Sequence, residues 1–459
     1  NFLTSILPAT TPRLNEIGID VWVLGFTFFI SLLTGLVFGL APALKASKLN
    51  LIEALKDRVQ GAAEGLRRNR VRSLLVVSEI AISLIILIGA SLLVKSFWRL
   101  QEVDAGFNPA NLLTLQVSLP AAKYSEPAKQ RAVFQEIFQR LESLPGAQAV
   151  GISNDFPLAG NMQTSQPYIE GRVTIPGQES LSGVHAVSHN YFQAMGIPLL
   201  KGRAFTASDI ESAQPVMIIN KMMAQRLFAN EDPLGKRVKF SDDPNVPWNE
   251  VVGVVGDVRH NGLDIEPQME TYLPYPQSPR TIMAIAVRST SDPTAMTSAV
   301  RRAILEVDNA QPIYDIKTME QRLSEAVAPR RLSMALFSFF AAVALVLAIV
   351  GVYGVMSYSV NQRTHEFGIR MALGAQHTDV LKLVLRQGVI LAIAGILIGV
   401  IAAYAVTRFM SGLLYGVSAT DPLIFIAVSL VLMIIALLAC YIPARRATKV
   451  DPIIALRYE

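Results

Sequence analysis

Residues 422–444 read PLIFIAVSLVLMIIALLACYIPA, twenty-three residues without a charged side chain. A helix crosses a hydrocarbon core of about 30 Å in about 20 residues, whereas an apolar run of about 10–14 suits a buried soluble helix. The stretch is therefore read as a membrane span. Working outward, segments 21–41, 332–360 and 387–407 are equally free of charge, and 73–94 carries one acid, Glu79. Five spans are expected. Only 17% of the 459 residues are charged and 51% are apolar, which argues against an ordinary soluble enzyme. Cys440 is the single cysteine and excludes a disulfide within the chain. The chain begins Asn1-Phe2-Leu3, with no initiating methionine or basic leader, and reads as a fragment.

Orientation follows from the basic residues, which gather on the cytoplasmic side. Residues 43–72 hold Lys45, Lys48, Lys56, Arg58, Arg67, Arg68, Arg70 and Arg72 against three acids, and the tail holds Arg445, Arg446, Lys449 and Arg457. The short loop 411–421 has no basic residue. The basic segments and the C-terminus are thus expected in the cytoplasm, with residues 1–20 and 98–328 outside. Residues 98–328 carry 20 Lys+Arg against 25 Asp+Glu, a net −5, and the remainder carries +10. The basic pI reflects membrane topology and is not a nucleic-acid footprint. Nucleic acid is excluded as a partner.

The outer block mixes strands and helices without strict alternation, which predicts an α+β domain. Segments 114–119, 150–156, 216–219, 250–258 and 282–287 read as strands. Helices are expected at 128–144, with Ala132, Val133, Ile137 and Leu141 on one face, at 221–228 and at 293–307. Segments 242–247 and 274–279 read as loops.

Residues 20–56 and 421–457 match at a constant offset of 401. Asp20 pairs with Asp421 before each span. Pro42-Ala43-Leu44-Lys45-Ala46-Ser47-Lys48 pairs with Pro443-Ala444-Arg445-Arg446-Ala447-Thr448-Lys449 after it. Each copy is a final span followed by a basic amphipathic stub. The first span is read as the end of an earlier unit.

A search for catalytic chemistry returns little. Asp232-Pro-Leu-Gly235-Lys236 lacks the earlier glycine and the Ser/Thr of a phosphate-binding loop. Leu181-Ser182-Gly183 is an isolated fragment of an ATPase signature. Gly151-Ile-Ser153 is not a nucleophile elbow, because Asp155 stands where the second glycine belongs. His185 and His189 have the i,i+4 spacing of a helical metal pair. No glutamate follows the first and no third ligand is evident, so a packing role is preferred. No catalytic, cofactor or metal residue is assigned, and the chain is not read as an enzyme.

The segment Arg363-Thr-His-Glu366-Phe367-Gly368-Ile369-Arg370-Met371-Ala372-Leu373-Gly374-Ala375 follows the third span on its cytoplasmic side. On a helix, Arg363, Glu366 and Arg370 share a face, and Glu366 pairs with Arg370 at i,i+4. Phe367 and Met371 form one apolar ridge, Ile369 and Leu373 another, and Gly374 is placed to end the helix. Such a helix either lies in the headgroups or docks into a cytoplasmic partner; the glutamate within the basic face favours a protein.

This segment resembles the RxxEfGIRmAlGA hallmark of FtsX-domain ABC permeases, the MacB/LolCDE superfamily. The close Pro443-Ala444-Arg445-Arg446-Ala447 with Asp451-Pro452 and Ala455-Leu456-Arg457 resembles the end of that domain. The outer block resembles the MacB-type periplasmic core domain through Tyr191-Phe192, Met195-Gly196, Pro198, Gly202-Arg203 and Asp232-Pro233-Leu-Gly235-Lys236. The order of segments is similar to the duplicated permeases best known from acidobacteria, with two FtsX units in one polypeptide and about eight spans in the parent.

The resemblance implies a type VII ABC system: a multi-pass protein of the bacterial inner membrane with its large domain in the periplasm. A cytoplasmic ABC ATPase dimer, carrying ATP and Mg, would pass its motion through a coupling helix at about 361–375 to the core domain. This is mechanotransmission, used for export or extraction of a hydrophobic, lipid-linked or antibiotic-like substrate. A periplasmic adaptor and an outer-membrane channel stay open as further partners. Two alternatives also stay open, a sensor permease for antimicrobial-peptide resistance and an anchored scaffold without an ATPase.

The implied organisation is an extracytoplasmic segment 1–20, a last span of a preceding unit at 21–42 and a basic linker at 43–72. A first span at 73–97, the core domain at 98–328 and a permease domain at 329–459 follow, the last with spans about 332–358, 386–408 and 422–443. The second and third spans are expected to continue into the core without a glycine–proline break. Glu79, an acid within a span, is a functional candidate by default. Its nearness to the cytoplasmic interface and Arg72 favours a structural role. Lys95 and Arg408 read as snorkelling anchors, Trp98 and Tyr415 as interfacial aromatics, and Gly395-xxx-Gly399 as helix-packing spacing.

Overall fold

The computed structural model describes residues 20–47, 61–160, 162–172, 180–229 and 231–448. Segments 1–19, 48–60 and 449–459 lie outside the described residues, and with them the far ends of both repeat copies. The described chain opens with helices α1 (Val21–Ser47) and α2 (Gly61–Gln101). Then come β1 (Leu112–Ser118), α3 (Pro127–Glu142), β2 (Ala147–Ser153), β3 (Thr164–Ser165), β4 (Tyr168–Ile169) and β5 (Ser182–Val187). Next are α4 (Tyr191–Met195), β6 (Leu199–Gly202), β7 (Val216–Asn220), α5 (Lys221–Leu227), β8 (Arg237–Lys239) and β9 (Asn249–Val255). They are followed by β10 (Glu270–Pro274), β11 (Ile282–Ser289), α6 (Thr297–Val307) and β12 (Ile313–Thr318). Four helices close the chain: α7 (Met319–Gln362), α8 (Thr364–Ala372), α9 (His377–Phe409) and α10 (Pro422–Ala447). Two compact units result, Glu102–Pro329 and Asn1–Gln101 with Arg330–Glu459.

In the strand-rich unit the sheet runs β12-β1-β11-β2-β5-β10-β7-β9-β8-β4, with β3 on β5 and β6 on β9. Pairing is antiparallel except for β5 with β10 and β7 with β9. Alternation builds the first core. Leu113, Leu115 and Val117 lie opposite Val287, Ile285 and Met283, and Phe134, Ile137 and Leu141 of α3 with Val300 and Ile304 of α6 cover that face. The buried stripe of α3 is Phe134, Ile137, Phe138 and Leu141. The expected Ala132 is exposed, because the two larger rings take the inward positions. A second core gathers Met217, Ile219, Met223, Val238 and Val251. The two halves of the sheet meet at one pair, Ser153 with Val187.

Three further expectations are corrected. The helix expected at 293–307 opens with a 3₁₀ turn over Pro293–Met296, capped by Asp292, and becomes α-helical only at Thr297. The loop 274–279 contains a 3₁₀ turn over Tyr275–Gln277. HAVSH is not helical: His185 lies on strand β5, and His189 packs its ring 5.2 Å from that of Phe138.

Asp308 anchors the start of the last loop before β12. Its Oδ2 accepts from Lys123 Nζ at 2.7 Å, Tyr124 O–H at 2.6 Å and Gln311 Nε2 at 2.6 Å. The Lys123 ammonium first, then the Tyr124 hydroxyl, hold its carboxyl well below the usual carboxylate range. The folded state therefore binds fewer protons than the unfolded one near the free carboxylate's pKa of about 3.9. The contact stabilises fully above that pH, and its contribution falls progressively below it until pH passes the lowered folded value. Asp308→Ala strands the buried Tyr124 hydroxyl and is expected to cost about 1–3 kcal/mol. The measurement is the thermal midpoint of the chain at neutral pH against pH 3 (about one unit below the free carboxylate), where the gap between wild type and variant is expected to narrow without closing, because the folded carboxyl is still ionised there.

In the helical unit, α2, α7, α9 and α10 are long and apolar enough to cross a membrane. They expose Phe339, Leu347, Leu397, Ile401, Ile426 and Leu438, a surface suited to lipid and not to water. The fifth segment differs. Helix α1 runs to Ser47, with Val21–Leu33 as its apolar stretch among the described residues. The expected linker 43–72 is helical at both described ends, through Ser47 and from Gly61. Pro329 lies inside α7 without interrupting it: the helix runs continuously from Met319 to Gln362, and α2 from Gly61 to Gln101, so neither carries the glycine–proline break whose absence is expected.

Helices α2 and α9 pack through small residues. A Cβ on Gly395 would sit 2.7 Å from Ile80 Cγ2, and one on Gly399 would sit 3.1 Å from Ala81 Cα. Ser83 donates to the Ala344 carbonyl at 3.0 Å, tying α2 to α7. Lys95 forms an ion pair with Asp421 instead of only snorkelling, and the Arg408 guanidinium lies 4.5 Å above the Tyr404 ring. The repeat is visible in its caps: Asp20 accepts from Trp22 N at 2.8 Å, and Asp421 accepts from Leu423 N at 3.0 Å, the same contact 401 residues on.

Candidate functional site

The hallmark segment becomes α8, nine residues between two long helices. Helix α7 continues to Gln362, so Arg363 is the non-helical cap and the helix is shorter than the expected 361–375. It ends as its sequence dictates. Gly374 takes φ +97°, Gly374 N donates to Met371 O at 3.1 Å and Ala375 N to Arg370 O at 3.0 Å, the paired bonds of a Schellman stop. The next helix starts at once, because Gln376 and Asp379 form a reciprocal capping box. Both turns are therefore locally specified, which fixes where α8 can point.

The two apolar ridges take opposite fates. Phe367 is buried, Gly368 with it, and Phe367 joins Val360, Val380, Val384 and Ala444 in the helical core, with Met371 packed against them. On the other side Leu373 is 82% exposed and Ile369 37%. Glu366 Oε1 lies 2.7 Å from Arg370 Nη2, and Arg363 Nε approaches Glu366 at 4.0 Å. Exposed pairs of this kind add little stability, so this row defines a surface more than it holds the fold. An aliphatic tip beside an Arg–Glu–Arg row suits the groove of a protein partner.

Glu79 is not part of this surface. Its carboxylate lies against Gly351 of α7, where any side chain would displace it. Arg72 instead stacks over the Tyr358 ring, 3.7 Å from its centroid. Reading the sequence missed one constellation altogether: Asp155, His185, His260 and Glu270, all buried in the strand-rich unit. They come from separate segments, and no local spacing announces them.

Residues 73–303 match the model of the MacB-like periplasmic core domain, and residues 338–452 that of the FtsX-like permease C-terminal domain. The chain is 30% identical over 273 residues to the pyoverdine export ATP-binding/permease protein PvdT of Pseudomonas savastanoi pv. phaseolicola, covering 57% of this chain and 40% of that protein. It is 28% identical to the macrolide export ATP-binding/permease protein MacB of Chromobacterium violaceum, covering 61% of this chain and 44% of the relative. A Bacillus subtilis protein described as the uncharacterized ABC transporter permease YknZ is 26% identical over 61% of this chain and 71% of its own length. The chain thus spans less than half the length of the first two relatives. With half of its residues in one domain model and its last three long helices in the other, the chain belongs to the family of FtsX-like permeases that carry a MacB-like periplasmic core domain.

Proposed function

We propose that the chain is the permease part of an ABC transporter, and that α8 is where a cytoplasmic ATPase engages it. The observation that carries this reading is the split of α8, with Phe367 seated in the helical core and Ile369, Arg370 and Leu373 left on the surface. Force applied to the exposed row is delivered to the helices through the buried ring. In this reading the chain crosses the bacterial inner membrane five times, with α1 as the first span, the C-terminus in the cytoplasm and the strand-rich unit in the periplasm. ATP and Mg are bound by the ATPase, and no catalysis is assigned to this chain. The names of relatives that export pyoverdine or macrolides support export or extraction of a hydrophobic or antibiotic-like substrate, driven by mechanotransmission.

Glu366→Lys places three cations in a row and removes the acid that spaces the two arginines. The variant is expected to reduce ATPase activity of the reconstituted complex about tenfold, within the usual span of coupling free energies, while leaving the chain folded. Unchanged ATPase association and turnover would remove α8 from this role.

A further inference from the structure

The halves of the large sheet are joined by a single residue pair, and beside that join lies a buried polar cluster. Asp155 follows β2, His185 lies on β5, His260 on the loop before β10, and Glu270 opens β10. Their exposures are 4%, 1%, 4% and 0%. Asp155 Oδ1 lies 2.8 Å from His185 Nδ1, and its Oδ2 lies 3.3 Å from His260 Nε2. Glu270 Oε1 is 3.8 Å from His260 Nδ1, while its Oε2 accepts from the Tyr272 hydroxyl at 2.6 Å. The imidazole rings stack with centroids 4.5 Å apart.

Hydrogen bonding leaves this cluster incomplete. Asp155 Oδ2, His185 Nε2, both ring nitrogens of His260 and Glu270 Oε1 are buried without a hydrogen-bond partner, the 3.3 Å approach being misaligned for one. Buried polar atoms are nearly always satisfied, because an orphan keeps the full cost of its desolvation. Five orphans in one place need a common partner. Strain points the same way: Leu158, three residues after Asp155, holds φ +67° and donates its N–H to the His260 carbonyl at 2.7 Å, a conformation rare for a leucine.

We propose that Asp155, His185 and His260 form a binding site for a divalent transition metal ion of the zinc type. Each residue offers a ligand atom, and the three atoms lie within 4.8 Å of one another. In a tetrahedral zinc site, bonds of about 2.0–2.1 Å place ligand atoms about 3.3 Å apart, so the ligand atoms would draw together on binding. Two imidazoles with a carboxylate suit zinc and its neighbours. Glu270 supplies a second carboxylate beside His260, already oriented by the Tyr272 hydroxyl in the manner of an outer-sphere partner. Ionised, the two carboxylates would carry the charge that one divalent cation cancels. The ion would tie four chain segments together where the sheet itself contributes one residue pair.

The experiment uses the full chain in detergent, with any affinity tag removed and metals stripped by chelator. Zinc is added, free metal is dialysed away, and bound zinc is counted; cobalt substitution reports tetrahedral coordination by visible absorption. About one ion per chain is expected, with a rise in the thermal midpoint that is absent from His260→Gln and Asp155→Asn and retained in His189→Ala. X-ray absorption of the zinc-loaded wild type is expected to show imidazole and carboxylate ligands, a readout independent of whether the variants fold. Wild type that retains no more zinc than His260→Gln, or whose zinc lacks imidazole ligands, would overturn the proposal and leave the cluster as a buried polar network.

Discussion

Gly395→Leu protein is expected to melt well below wild type and to accumulate poorly in the membrane. At Gly395 even a Cβ would lie 2.7 Å and 2.8 Å from Ile80 Cγ2 and Cβ, and 3.1 Å from the Val77 carbonyl oxygen. The last of these is backbone and has nowhere to rotate. Gly399 is similar, with Ala81 Cα and its carbonyl oxygen both 3.1 Å away. Lipid offers no hydrophobic force to hold two helices together, so their association rests on close packing of small residues. Overpacking costs about 1–3 kcal/mol per site, and a leucine at both positions is expected to separate α2 from α9. Gly354 provides the internal control, because a Cβ there meets nothing within 4 Å. The measurement is the midpoint of heat-induced aggregation in detergent; equal midpoints for Gly395→Leu and Gly354→Leu would refute the account.

The second large effect is expected at Arg322, 7% exposed at the start of α7. Its Nε donates to Thr114 Oγ1 at 2.7 Å and Nη2 to the Asp315 carbonyl at 2.9 Å, while Nη1 meets Asp315 Oδ2 at 2.8 Å. The guanidinium also lies 5.3 Å from the Phe156 ring centroid. Asp315 needs this help, since it holds φ +53°, a left-handed conformation an aspartate tolerates only at some cost. Arg322→Ala removes the donor to Thr114 Oγ1, whose hydroxyl still donates to the Lys317 carbonyl at 2.8 Å, and takes away both contacts to Asp315, for an expected loss of about 2–4 kcal/mol. Lysine restores the charge but not the planar fork, so Arg322→Lys is expected to recover only part. Denaturant unfolding followed by Trp248 fluorescence, with Trp22 and Trp98 replaced by phenylalanine, isolates the strand-rich unit. A midpoint unchanged in Arg322→Ala would show that the buried fork contributes nothing.

What was legible in the sequence follows from the range of the forces involved. Membrane segments are declared residue by residue, since each charge in lipid is costly, and four long apolar helices appear where apolar runs with at most one charge were read. Helix α8 is equally local: the Glu366–Arg370 spacing, the Phe367–Met371 ridge and the Gly374 stop all act within two turns. Strand β5 was missed because all six of its residues are buried, which erases the alternation a strand normally writes. The stripe of α3 was displaced because period alone does not weigh Phe134 against Val133. Arg322 meets Thr114 from 208 positions away, and the histidine cluster draws on segments that only the sheet's crossovers bring together. Long-range polar contacts leave no periodic trace.

The one cysteine of the chain has a practical use. Its sulfur fills the space beside Gly388, and the residue is 1% exposed. Water-soluble thiol reagents should therefore pass it by. A spin label or fluorophore can be attached to a single cysteine introduced at Leu373, or at any other outward position, on the natural background, and distance changes during nucleotide turnover can be followed without first mutating the native thiol.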